Sequence, residues 1–143
     1  MSQTRVSPAL RRVVAERAHY RCSYCQTRED ITGVAFTIDH IIPESLGGRT
    51  VLDNICLACW GCNLIKRNRI VGIDPRTGAV VRLFNPNTQQ WHEHFAWQVD
   101  GLLVIGWSPT GRATINALQL NRTTLANARR LWITADQHPP REE

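Results

Sequence analysis

Lysine is almost missing from this chain, and so is any long hydrophobic run. Seventeen basic side chains are present, sixteen of them arginine, with Lys66 the single lysine. Apolar residues make up 43% of the 143, in short runs such as Ile41-Ile42 and Leu102-Leu103-Val104-Ile105. None approaches the roughly 20 apolar residues a bilayer span requires, so no membrane association is expected. The opening MSQTRVSPALRR lacks the apolar stretch of a secretory signal, which makes the cytoplasm the expected location. Internal repeats and low-complexity segments are also absent. The length suits one domain, or one domain with an extension.

In a reducing compartment the five cysteines are read as ligands rather than disulfides. Four form two pairs, Cys22-Ser-Tyr-Cys25 and Cys59-Trp-Gly-Cys62, with 33 residues between the inner members. Each Cys-x-x-Cys turn points two sulfurs at one metal, and two such turns complete a closed tetrahedral site of the structural zinc kind. A redox pair would need only one of them, in a strand-helix context. Zinc would contribute on the order of 10 kcal/mol of apparent folding free energy, which a small core with long loops needs. Cys56 falls outside the pairs and reads as a small buried hydrophobe.

The net charge of +5 and pI near 9.3 are compatible with nucleic acid. Arginine's rigid fork of donors suits phosphate oxygens. The balance carries weight only beside a site.

Ser7-Pro8 signals a helix over about 8–18, with Arg11 and Arg12 toward solvent. Residues 34–39 are rich in strand formers, and Pro43 ends that strand. Glu44 to Thr50, with Gly47-Gly48, is a loop, and Val51 to Leu57 returns as a strand or turn. Cys62 to about Arg69 reads as a short helix with Asn63, Lys66 and Arg67 on its surface. Asp74-Pro-Arg-Thr-Gly78 is a turn, and a boundary is placed near 72. Beyond it, strands are expected over 80–84, 91–97 and 102–107. A hairpin turn falls at Asp100-Gly101. A helix should start at Ser108-Pro109, and a last one, capped by Asn121, should run to about Ala135. The tail from His138 is expected to be loose.

Between and beside the cysteine pairs stand Asp39-His40-Ile-Ile-Pro43, Gly47-Gly48, Asp53-Asn54-Ile and Cys62-Asn63-Leu-Ile-Lys66. His40 precedes Asn54 by 14 positions, and Asn63 follows 9 later. Over 22–69 this pattern resembles the HNH endonuclease family, in its bacterial, zinc-stabilised form with a C-terminal extension. The resemblance implies an α+β fold: a ββα-metal core over 1–72 with a four-cysteine structural zinc site, and a small hairpin-and-helix layer over 73–143.

It also implies a metal-dependent endonuclease that hydrolyses DNA phosphodiester bonds to a 5′-phosphate and a 3′-hydroxyl. His40 would be the general base, and Asn54 would orient it through a hydrogen bond. Asp39 and Asn63 would hold a divalent cation: magnesium first, with manganese or nickel as alternatives. Many family members have histidine where this chain has Asn63. Arg49, Lys66, Arg67 and Arg69 are expected on the DNA backbone. Blander readings stand beside these: a turn cap for Asp39, a helix cap for Asn63, an Asx-turn for Asn54, and a solvated charged face for the basic residues.

Strand neighbours normally face opposite ways, so Asp39 and His40 serve one phosphate only if the strand ends or twists there. In the extension, Phe84-Asn-Pro through Gly111-Arg112-Ala-Thr114 resembles a segment carried by some bacterial HNH proteins. Arg112, Arg122, Arg129 and Arg130 could widen a DNA-facing surface. His92 and His94 have a strand spacing but lack a further ligand pair. The alternatives to a nuclease are a non-catalytic zinc-stabilised nucleic-acid-binding module and a zinc-stabilised protein-interaction domain.

Overall fold

Ser7 starts the first helix as the sequence pattern implies. Its hydroxyl accepts the Leu10 N–H at 3.1 Å, and Pro8 takes the first turn of α1, Pro8–Arg17. The computed structural model describes residues 6–141 and divides into two compact units. The first holds the chain up to Ile70 together with Asn85–Thr88; the second holds Val71–Phe84 and the chain from Gln89 onward.

In the first unit α1 buries Val14 and Ala15. Its arginines fasten it to the chain beside it. Arg17 donates to the carbonyls of Leu52 and Ile55 at 3.0 and 2.6 Å. Arg11 donates to the Phe36 carbonyl instead of facing solvent as expected. A guanidinium has five donors, enough to take up loop carbonyls that no strand partner reaches.

β1, Thr37–His40, and β2, Ile55–Ala58, form an antiparallel hairpin in which Asp39 faces Cys56 and His40 faces Ile55. β1 begins later than the expected 34. The Trp60 indole donates to the Ala35 carbonyl at 3.0 Å, and the Phe36 N–H donates to Glu29 at 2.6 Å. Side chains therefore satisfy the backbone where a ladder would have to. The segment expected as strand or turn resolves into both, a 3-10 turn over Leu52–Asn54 and then β2. α2, Trp60–Lys66, starts two residues earlier than expected because Cys59 caps it, its sulfur 3.4 Å from the Cys62 N–H. It stops at Lys66 because Arg67 takes φ 54 and Arg69 donates to the Ile65 and Lys66 carbonyls.

In the second unit β3, Val71–Ile73, pairs with β4, Val80–Arg82. β3 was not expected; its three residues alternate exposed and half-buried, too short a run to show a period. The turn between them is closed by Asp74, which accepts the Arg76 N–H at 2.9 Å and the Thr77 hydroxyl at 3.1 Å. β5, Phe95–Trp97, follows a 3-10 turn over Trp91–Glu93 and pairs with β6, Val104–Gly106. α3, Pro109–Leu118, starts at the Ser108 cap. It packs so near the residue before β5 that a Cβ on Gly111 would lie 2.1 Å from the His94 carbonyl oxygen. α4 covers Thr123–Thr134.

Two details of this unit depart from expectation. Arg122, not Asn121, precedes α4; the Asn121 carboxamide instead bridges the Val104 N–H and carbonyl at 2.9 and 2.8 Å. The tail is not loose at His138, which is 5% exposed. Its ring meets Trp97 edge-on, with centroids 4.5 Å apart, and its Nε2 lies 3.1 Å from the Gly101 carbonyl oxygen. Among the described residues no helix is long and apolar enough to cross a membrane.

Candidate active site

The four paired cysteines converge. Sγ atoms of Cys22, Cys25, Cys59 and Cys62 all lie within 4.8 Å of one another, and those of Cys25 and Cys59 are 3.8 Å apart. A tetrahedron with zinc–sulfur bonds of about 2.3 Å has sulfur edges of about 3.8 Å, so the cluster fits zinc. Its electrostatics also call for a cation. Burial pushes the Cys22 thiol well up, whereas hydrogen bonds from Cys22, Cys59 and Cys62 hold Cys25 well down. Four sulfurs this close, three of them on buried cysteines, cannot all ionise without a cation among them. Cys56 is apart from this group. It is buried in β2, and that burial pushes its thiol up to about 12.

The second sulfur pair lies at the start of α2, and Asn63 directly follows Cys62. The Asn63 carboxamide makes no hydrogen bond among the described residues, so its oxygen is available as a neutral ligand. Three positions on, Lys66 leaves the surface. It is 2% exposed, and its Nζ is 3.0 Å from one Asp39 oxygen, 3.3 Å from the other and 3.1 Å from the His40 carbonyl. Lys66 is therefore not on a DNA-facing surface, contrary to expectation. A buried carboxylate requires a counter-charge, and the four-carbon lysine stem reaches it.

Asp39 is 3% exposed. The Tyr24 hydroxyl donates to it at 2.6 Å. Burial holds the Tyr24 phenol well above its usual range, so it keeps the proton it donates. Asp39 and His40 take different hydrogen-bond partners, and β1 ends at His40. The His40 ring, 9% exposed, turns to the loop: its Nε2 is 2.9 Å from the Thr50 hydroxyl and 3.7 Å from a Glu44 carboxylate oxygen. With the ring proton on Nε2, that nitrogen donates to the Thr50 hydroxyl, which fixes the ring's direction and leaves Nδ1 as the acceptor.

Asn54 does not touch His40, which corrects the expected hydrogen bond. Its carboxamide accepts the Ile42 N–H at 2.8 Å and donates to the carbonyls of Ile42 and Arg49, each at 2.9 Å. It therefore clips the two ends of the loop that brings Glu44 and Thr50 to the ring, and acts on His40 through that loop. The clip is tight enough to require glycine: a Cβ on Gly48 would fall 1.7 Å from the Ile42 carbonyl oxygen. Arg49, Arg67 and Arg69 are exposed.

Tyr24, Glu44 and Thr50 are site neighbours that the sequence pattern did not single out. Glu44 stands four residues after His40, a detectable spacing. Tyr24 sits inside a Cys-x-x-Cys turn, where it reads as filler.

The arginines expected to widen a DNA surface divide. Arg112 is bidentate to Asp74 at 3.0 and 2.9 Å. Arg129 is buried and donates to the Leu102 and Leu120 carbonyls and to Asn121. Arg122 turns back onto the Leu118 and Gln119 carbonyls, and only Arg130 is exposed. His92 and His94 join no metal-holding group among the described residues; the His94 Nδ1 lies 2.6 Å from the Ser108 hydroxyl.

Comparison with known proteins agrees with this geometry. Residues 22–69 match the family model described as HNH endonuclease, about a third of the chain, reaching from the first sulfur ligand to just past α2. No curated protein and no solved structure matches it.

Proposed function

Starting from the HNH endonuclease match over residues 22–69, we propose that the chain hydrolyses DNA phosphodiester bonds with His40 as general base. One observation carries this reading. An imidazole ends β1 inside the matched segment, its Nε2 oriented by Thr50 and its loop clipped by Asn54. A neutral imidazole accepts the proton of an attacking water. Glu44 at 3.7 Å stabilises the imidazolium that results. Arg49, Arg67 and Arg69 provide the exposed positive charge that holds phosphates without reading sequence.

Asp39 and Asn63 would hold the divalent cation, their oxygen donors being those a hard ion takes. The Asp39 carboxylate already carries a cation, the Lys66 ammonium, so the position favours positive charge. When bound, the metal ion would stabilise negative charge on the phosphate oxygens.

The test is plasmid cleavage by zinc-loaded protein with magnesium, manganese or nickel. His40→Ala should lose about 10²–10⁴-fold in rate, the usual worth of a positioned base, while still binding DNA. Absence of nicking with every ion would remove the enzymatic reading. The second reading, a zinc-stabilised module that binds nucleic acid without cutting it, has one observation in its favour: the Asp39 carboxylate is fully engaged by Lys66 and Tyr24. Salt-dependent DNA binding without cleavage would select it.

A further inference from the structure

A buried ammonium needs partners, and Lys66 finds them on β1. It donates to one Asp39 oxygen at 3.3 Å and to the His40 carbonyl at 3.1 Å, and it lies 3.0 Å from the other Asp39 oxygen. This buried ion pair occupies the carboxylate to which the proposed function assigns a divalent cation. Asp39 offers one negative charge in an enclosed setting where charges interact strongly. An ammonium and a divalent ion on the same two oxygens would repel each other. From this juxtaposition we infer that Lys66 is the resident cation of Asp39, and that a divalent ion loads by displacing the Lys66 ammonium into solvent.

The surroundings permit the exchange. Lys66 is the last residue of α2, and the chain turns away at Arg67 with φ 54, so a change of lysine rotamer leaves the helix intact. The Tyr24 hydroxyl donates to Asp39 at 2.6 Å without involving Lys66. The departing ammonium also releases the His40 carbonyl, so cation loading is felt in the backbone of the proposed base. Lys66 is in this sense a positioning residue: it ties α2 to β1 through Asp39 and the His40 carbonyl, and gives up these contacts on loading. The inference rests on the assignment of the cation to Asp39.

Because Lys66 is the single lysine, amine chemistry reads this one side chain plus the N-terminus. The experiment is reductive methylation of the intact zinc-loaded protein with formaldehyde and a borane reductant, at increasing manganese chloride. Mass spectrometry of the peptide bearing Lys66 gives its rate. Thiolates prefer zinc to manganese, so the four-sulfur site is undisturbed.

Without manganese, Lys66 should react far more slowly than it does in the same protein unfolded in urea. At saturating manganese it should react at least about tenfold faster, since protection reports the population of the open form. In Asp39→Asn, Lys66 should react fast with or without manganese. A wild-type rate that stays low up to millimolar manganese overturns the inference, whatever the variant does. No DNA enters the assay, so the two proposals fail separately. A protein that exposes Lys66 on loading but never nicks a plasmid loses only the nuclease reading. One that nicks with Lys66 protected throughout loses only the exchange.

Discussion

Asn54 shows how one side chain can govern a loop it does not end. Its carboxamide makes three backbone hydrogen bonds, and Asn54→Ala leaves the Ile42 N–H and two carbonyls unmatched. At about 0.5–1.5 kcal/mol net for each bond, the variant should lose about 1.5–4.5 kcal/mol in urea unfolding and slow any cleavage, because Thr50 and Glu44 lose their place beside His40. Lys66 makes a different point. Removing one member of a buried ion pair strands the other, so Lys66→Met should cost about 3–5 kcal/mol. The double variant Asp39→Asn/Lys66→Met should recover part of that loss in the same measurement. Asp39, His40, Asn54 and Asn63 could be singled out in the sequence because they stand at the motif positions of the HNH pattern it resembles. Thr50 and Tyr24 could not: each is close to its partner only after the hairpin has closed. Lys66 was misplaced because a charged residue on a short helix is ordinarily solvated, and only the fold reveals that the helix turns this one toward a carboxylate.

Among the elements, the hairpin of β1 and β2 and the helix α2 depend on the sulfur cluster, since two of its four sulfurs flank the start of that helix. Metal analysis should find about one tightly held zinc per chain. Chelation should remove on the order of 10 kcal/mol of apparent folding free energy, seen as loss of helical circular dichroism that zinc restores. The turn between β3 and β4 has its own electrostatic clasp. Hydrogen bonds from the Arg112 guanidinium hold the Asp74 carboxyl down at about 2, below the usual carboxylate range. A carboxyl depressed in the folded state stabilises above its unfolded pKa, and that contribution is lost as pH falls through the folded one. Stability should therefore decline between about pH 4 and pH 2, and Asp74→Asn should flatten this part of a denaturation-versus-pH profile. The helix starts at Ser7 and Ser108 were legible because capping is local chemistry. β3 and the true boundaries of β1 were not, because they depend on which side chains take up neighbouring backbone groups.

For the molecule as a whole, the informative property is where the arginines go. A count of sixteen suggested a broad basic surface, yet Arg11, Arg17, Arg112 and Arg129 are spent on carbonyls and a carboxylate inside the fold. Arg49 and Arg67 remain exposed near the proposed site, and Arg69, though tied to the Ile65 and Lys66 carbonyls, is exposed beside them. Replacing all three with alanine should lower the slope of log affinity against log salt by up to about 0.9 for each phosphate that is no longer neutralised. An unchanged slope would place the DNA elsewhere on the surface.

The chain's path also bears on how such a protein can be taken apart by gene rearrangement. It leaves the first unit at Ile70, forms β3 and β4, and comes back for Asn85–Thr88 before departing again. During that return the Asn87 carboxamide donates to the Asp53 and Ile55 carbonyls, both at 3.0 Å, beside Asn54. A single crossover at 72 would transplant the zinc and His40 segment but leave this stitch behind. A recombinant that inherits the segment intact needs its far end to lie beyond Thr88, so the heritable module is longer than the matched motif by roughly the length of one hairpin.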